Sequence, residues 1–301
     1  MEVLYSDEAL AAVAPIAVYW VYSGVHRAID HGRLMERYRL NTKEDEDGKN
    51  MVSKRDVLFN VLSQHLLQLV SVAMLTTVRI HGRSVISLDI QGTGGDLIVV
   101  GLPNGGVSGG GGSGGVGWVQ VRVASVGSSQ SVLDGYKYAW HRLAHRSRFL
   151  YRHMHSWHHR IVMPYAYGTI YGHPLEALMA DTVGASLALF VSGMSPRATA
   201  VFLSLCNIKA IDNHCGVCMM SRFLRSLWND AAYHDVHHMP RRVRHNFSDL
   251  FFVTWDNMFG THMPYAVEER SGGGLKFRIL RPKPTPKTRL DPMVKSTATA
   301  S

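Results

Sequence analysis

Residues 155–159 read His155-Ser-Trp-His158-His159, and residues 234–238 read His234-Asp-Val-His237-His238. The same H-x-x-H-H pattern thus occurs twice in one chain. On a helix, residues i, i+3 and i+4 share one face, so each triplet is expected to point one way. His141-Arg-Leu-Ala-His145 adds a pair with the i, i+4 relation. Eight imidazoles presented like this exceed any packing need, because unpartnered buried polar groups are costly. They also exceed one tetrahedral site, which takes four ligands, and so suit two metals. Imidazole accepts zinc, copper, iron or nickel, and ligand type alone leaves these open. Within the boxes the only carboxylate is Asp235. Neither the Glu-x-x-His arrangement of ferritin-like bundles nor the H-E-x-x-H motif of metallo-hydrolases occurs. His214, after Ile-Asp-Asn, and His173, between Gly172 and Pro174, are two further candidates to complete a coordination sphere. His153, His245 and His262 lack ligand spacing, and Cys215-x-x-Cys218 lacks the second cysteine pair of a zinc site.

Outward from the boxes, the 301-residue chain is 46% hydrophobic but only 18% charged, with a formal net charge of +9. That charge content lies below the roughly 25% of soluble domains and points to membrane contact. Three cysteines exclude a disulfide-stapled scaffold. Leu10–Val25 is an uncharged run of sixteen containing Pro15, and Val57–Val78 is uncharged over 22 residues. A span needs about 20 apolar residues, so the second run is the better spanning segment. His65 inside it reads as a packing group. Gly184–Ile208 is apolar but broken at Ser195-Pro196-Arg197. Its two arms of about eleven residues suit a helical hairpin that dips into the bilayer and returns. Gly92–Gly117 is a Gly/Ser-rich segment expected to be flexible coil, followed by the alternating, strand-like Val119–Val123. From Arg270 onward Gly, Pro and Lys/Arg dominate, which reads as a disordered basic tail.

Arg142, Arg146, Arg148, Arg152 and Arg160 cluster around the first two boxes. No zinc-finger, homeodomain or RNA-recognition signature accompanies them, so this charge reads as a cytosolic membrane face, not a nucleic-acid footprint. Eight Lys/Arg between Arg27 and Arg55 place that segment in the cytosol by the positive-inside rule. Val57–Val78 then leads to the other side. Returning the first box to the cytosol needs a further crossing between Ile98 and Leu133, unless Leu10–Val25 does not cross or the topology is defective.

The chain resembles the membrane fatty acid hydroxylase superfamily, and within it the plant sphingoid base hydroxylases. The stretches that carry the likeness are LAAVAPIAVYWVYSG, YRHMHSWHHRIVMPYAYGTIYGHPLEAL, VSGMSPR, DNHCG, AAYHDVHH and NFSDLFFVTWDNMFGTHMPY. The three histidine boxes are family-wide, while PYAYG, SGMSPR and DNHCG point to the subgroup. Two departures stand out: the Gly-rich segment replaces an apolar span, and the approach to the first box reads Asp134-Gly-Tyr-Lys-Tyr.

The resemblance implies an all-α, multi-span membrane bundle with a cytosolic-side, histidine-rich di-metal cap. It implies metal ligands at His141, His145, His155, His158, His159, His234, His237 and His238, with His214 and His173 as further ligands. Asp134 and Trp255-Asp256 match family positions of structural role. The implied reaction is O2-dependent C4-hydroxylation of sphinganine or dihydroceramide in the endoplasmic reticulum membrane. Its cofactors are two non-haem iron ions, with electrons from NAD(P)H through a reductase and cytochrome b5. The alternatives are another lipid hydroxylase or desaturase of the superfamily, acting on a sterol, fatty acyl or aldehyde substrate, and an inactive membrane relative. The expected organisation is an N-terminal membrane region (1–80), the Gly-rich segment (81–130), the catalytic domain (131–267) and the basic tail (268–301).

Overall fold

The computed structural model describes residues 7–82, 97–103, 116–221, 223–240 and 244–280. Helices dominate these residues, and strands occur among them only as two antiparallel pairs. Helix α1 (Asp7–His31) opens with two acids and ends in a histidine, which complements its dipole. A short α2 (Lys43–Lys49), capped by Thr42, leads to α3 (Lys54–Gly82). Strands β1 (Leu97–Pro103) and β2 (Val116–Arg122) pair in the register Leu97–Arg122 to Pro103–Val116. The expected strand is therefore present as β2. The Gly-rich segment also holds β1, where Leu97–Pro103 is a β-branched and apolar stretch. The glycine run at 104–115 lies outside the described residues.

Helix α4 (Val123–Arg146) follows directly and carries the first histidine box at its C-terminal end. After it, α5 (Arg148–Leu150) runs into a π turn at Tyr151–His155 and a 3₁₀ turn at His158–Arg160. A continuous helical arm then comprises α6 (Pro174–Ala177), a π segment (Leu178–Val183) and α7 (Gly184–Ser192). Gly193 ends it in the left-handed region, φ 61°. Ser195 caps α8 (Pro196–His214), with Pro196 in the first turn. The hairpin foreseen at SGMSPR is thus built from helix-stop and helix-start chemistry. Its arms are longer than about eleven residues, because each helix continues through polar residues beyond the apolar run. Among the described residues, three segments are long and apolar enough to cross a membrane: Asp7–His31, Lys54–Met74 and Pro174–Ser192.

The hairpin organises the bundle. Asp7 pairs with Arg197 at 2.8 Å, Asn207 donates to the Pro15 carbonyl at 2.8 Å, and Tyr22 donates to Asp212 at 2.7 Å. Helices α1 and α8 therefore run parallel. Helix α4 runs antiparallel to α7, with Tyr136 donating to the Met179 carbonyl at 2.7 Å. Gly184 permits this approach: a Cβ there would lie 2.6 Å from the Tyr136 ring. His65 packs in the bundle and accepts from the Trp20 indole at 3.1 Å, as expected of a packing group.

The cap closes with α9 (Ala231–His238), α10 (Thr254–Phe259) and the hairpin β3 (Tyr265–Glu269) and β4 (Leu275–Ile279). Residues 268–280, read from composition as disordered tail, are ordered here. The physical reason is the partner: Leu275 donates to the Arg39 carbonyl at 2.7 Å and Arg270 donates to the Leu40 carbonyl at 2.5 Å. Leu275 and Phe277 also pack against the cluster around Tyr19, Leu40 and Ile211. Residues 281–301 lie outside the described residues.

Candidate metal centre

Four separate pieces of chain deliver the histidines: the end of α4, the turns at 151–160, the last residue of α8, and α9. Asp230 starts α9 by accepting from the Tyr233 amide at 2.8 Å. Nine rings converge into two groups. His141, His145, His155, His159 and His237 form one, and His158, His214, His234 and His238 form the other. Within each group the available ligand atoms lie within 4.8 Å of one another.

The boxes do not each face one way. His155 and His159 enter the first group while His158 enters the second; His237 enters the first while His234 and His238 enter the second. The i, i+4 pairs stay together and the middle histidine departs. In box two the π and 3₁₀ turns break the α-helical register. In box three, adjacent residues on a helix point about 100° apart, which separates His237 from His238.

Hydrogen bonds at Nδ1 aim the rings. His141 faces the Phe247 carbonyl at 2.9 Å, His158 that of Tyr171 at 2.9 Å and His214 that of Ala210 at 2.8 Å. His237 faces the His245 carbonyl and His238 the Ile161 carbonyl, both at 2.7 Å. Glu176 takes Nδ1 of His155 at 2.5 Å. A carbonyl can only accept, so Nδ1 donates and Nε2 is left with a lone pair. The Nε2 atoms converge, with those of the rings not tied at Nδ1: Nε2 of His145 lies 2.7 Å from Nε2 of His155 and 3.1 Å from those of His159 and His237, while Nδ1 of His145, His159 and His234 has no protein partner. Nε2 of His238 lies 2.9 Å from that of His234 and 3.1 Å from that of His158. Nε2 of His141 and His214 are buried with no protein partner.

Burial, reinforced by neighbouring imidazoles, holds His155, His159, His234, His237 and His238 well below the usual histidine pKa. The rings stay neutral and the lone pairs stay available. Facing lone pairs repel unless a cation lies among them. Two imidazole nitrogens bound about 2.1 Å from one ion at right angles stand about 3 Å apart, which is the spacing present. The residues therefore suit two metal ions.

His173 stands apart from both groups. It caps α6 by accepting from the Leu175 amide at 3.2 Å and packs on Trp157. Cys215 and Cys218 are free and enter neither group. Asp134 accepts from the Phe251 amide at 3.1 Å, and Asp256 receives the amides of Phe247 and Ser248 at 2.9 and 2.5 Å. These bonds tie the 247–251 loop, whose Phe247 carbonyl orients His141. Sequence reasoning passed over Glu176. Its placement beside Pro174 signals only a helix start.

A cavity of about 270 Å³ opens from the centre. His141, His155, His158 and His214 are among its lining, and Leu67, Val72 and Leu189 of the membrane-type segments, with Leu203 of α8, line its apolar course. Lys137, also on its wall, pairs with Asp181 at 2.7 Å and with Asp249 at 3.0 Å. Burial disfavours a charge on Asp249, but the Lys137 ammonium holds its carboxyl well below the usual range.

The fatty acid hydroxylase family model matches residues 130–261, the span that holds every converging histidine. Sphinganine C4-monooxygenase 1 of Arabidopsis thaliana is 40% identical over 274 residues, covering 91% of this chain and 94% of that protein. A very-long-chain aldehyde decarbonylase of Oryza sativa subsp. indica is 39% identical over 277 residues, covering 92% and 96%. A sphingolipid C4-hydroxylase of Saccharomyces cerevisiae is 30% identical over 264 residues, covering 85% and 72%. No solved structure matches the chain. With near full-length likeness to enzymes of this kind, and its histidines gathered inside the matched span, the chain belongs to the fatty acid hydroxylase family.

Proposed function

We propose that the protein hydroxylates C4 of a long-chain base or dihydroceramide, using O2 and a di-iron centre held by the nine converging histidines. The observation that carries this reading is the pair of all-imidazole groups at the mouth of an apolar cavity between membrane-type helices. The likeness to proteins named for sphinganine and sphingolipid C4-oxidation supports the substrate. Iron is favoured over zinc because an unactivated C–H bond requires redox chemistry that zinc lacks. When bound, the two ions would supply O2 activation with two external electrons. The chain's own part is to aim six of the nine rings through their Nδ1 bonds, to bury the centre, and to hold an alkyl chain along Leu67, Val72, Leu189 and Leu203.

The electron route belongs to the same proposal: NAD(P)H, a reductase and cytochrome b5, meeting a cytosolic face in the endoplasmic reticulum. Arg142, Arg146, Arg148, Arg152 and Arg160 support it, since none makes an ion pair among the described residues. Such a face attracts acidic partners.

Expression in yeast lacking its own C4-hydroxylase is expected to restore phytosphingosine. Unchanged long-chain bases alongside accumulated protein would sink the substrate assignment. His155→Ala and His238→Ala are each expected to abolish the product, since each opens one group. A second reading, turnover of very-long-chain aldehydes, is favoured by the rice relative. Shorter hydrocarbons without phytosphingosine in the same cells would establish it. Purified wild type should carry near two irons per chain. A folded, metal-free protein would instead mark an inactive relative.

A further inference from the structure

The Lys137 cluster is not used by the metal centre or by the apolar course of the cavity. One ammonium faces two carboxylates, Asp181 and Asp249, and all three line the cavity that the histidines line. The cluster therefore holds one negative charge without a Lys or Arg partner. The same wall has further unused acceptors. Gln64 is 5% exposed and Glu176 is 9% exposed. Gln64 donates to the Gly172 carbonyl and Glu176 Oε1 takes His155, yet Gln64 Oε1 and Glu176 Oε2 are buried with no protein partner. Two buried orphan acceptors beside a partly exposed carboxylate pair call for a ligand rich in donors.

The proposed reaction fixes where that ligand's polar end must sit. A long-chain base carries an ammonium on C2 and hydroxyls on C1 and C3. C2 is two bonds from C4, roughly 2.5 Å away by ordinary bond lengths. Any group that reads the head must therefore lie beside the metal centre, as this wall does. An N-acylated base has a neutral amide in place of the ammonium and leaves the negative charge unmatched.

We infer that this wall selects the free long-chain base over its N-acylated form, with the substrate ammonium received by Asp181 and Asp249. The inference rests on the C4-hydroxylation reading. Asp181 and Asp249 are specificity-determining residues in this scheme, and Lys137 fixes their carboxylates while leaving acceptor positions open.

The test is equilibrium binding of tritiated sphinganine and of a short-chain dihydroceramide to the purified, metal-loaded full chain in detergent. Wild type should prefer sphinganine. Asp181→Asn and Asp249→Asn should each weaken sphinganine by at least about tenfold, the worth of one charge-assisted hydrogen bond, and change dihydroceramide by less than about twofold. Asp181→Glu should recover most of the loss, and metal content should hold in every variant. Unchanged sphinganine affinity in both Asn variants overturns the inference. So does equal weakening of both ligands, which is the mark of a merely structural salt bridge, or a wild-type preference for the dihydroceramide. If wild type binds sphinganine selectively but forms no C4 product, the reaction assignment fails and the head recognition stands.

Discussion

Glu176 shows what a single residue contributes outside the coordination sphere. Its carboxylate fixes the tautomer of His155 from 2.5 Å, whereas five of the other rings are held by neutral carbonyls. Glu176→Gln keeps the shape and an acceptor oxygen but removes the charge that raises ligand basicity. Metal affinity or turnover should fall roughly 10–100-fold, measured as iron per chain against free iron. At this scale the sequence was half legible. Histidines at i, i+4 declare themselves through spacing. Glu176, Lys137, Asp181 and Asp249 sit in pieces of chain with no shared period, and only the fold brings them to one cavity. His158 and His237 were legible as candidates but not as members of a particular group. That depends on backbone turns that spacing does not encode.

The elements divide into those set by local chemistry and those set by a partner. The tip of the α7–α8 hairpin is local: Gly193, Ser195 and Pro196 stop one helix and start the next. The closeness of α4 and α7 is not, since it turns on one missing side chain. Gly184→Ala would place a Cβ 2.6 Å from the Tyr136 ring. This overpacking should cost about 1–3 kcal/mol, read as a lower unfolding temperature in detergent. Asp230→Ala removes the cap of α9 and the acceptor of the Tyr265 hydroxyl. Loss of the cap alone should cost about 0.5–2 kcal/mol. Because α9 carries three of the nine converging rings, metal occupancy should fall with it. The β3–β4 hairpin was passed over for the opposite reason: the Gly, Arg and Lys around it hide the short alternation Leu275-Lys-Phe277-Arg-Ile279, and its order comes from the backbone of residues 39 and 40 and the core that Leu275 and Phe277 meet.

For the whole molecule, α4 addresses the crossing that hydropathy left open. It has 24 residues, about 36 Å of helix, enough for a bilayer core of about 30 Å. Its polarity hides it from a hydropathy scan, yet Lys137 is paired, and Ser129 and Tyr136 bond to carbonyls of the α7 arm. Helix α4 is accordingly expected to return the chain to the side of Arg27–Arg55. A glycosylation tag placed within 104–115 should be modified in microsomes, and one at the C-terminus should not. Metal is expected to hold the cap together as well, since four unconnected pieces meet at the two groups. A chelator should lower the unfolding temperature, and ferrous iron should restore it.

The clasp between the β3–β4 hairpin and residues 39–40 joins positions 230 apart in the chain, Arg270 and Leu40. Asn41, beside it, donates to Asp235 on α9 at 2.6 Å. A ribosome therefore adds about 230 residues before the loop it made early acquires its partner. Until then α9 lacks the support that the clasped loop provides. Translation thus orders assembly: the clasp forms only once residues 270–275 have emerged, so metal binding is expected to follow synthesis of the β3–β4 hairpin. Nascent chains stalled before residue 265 should sit in the membrane with their cap open and without metal.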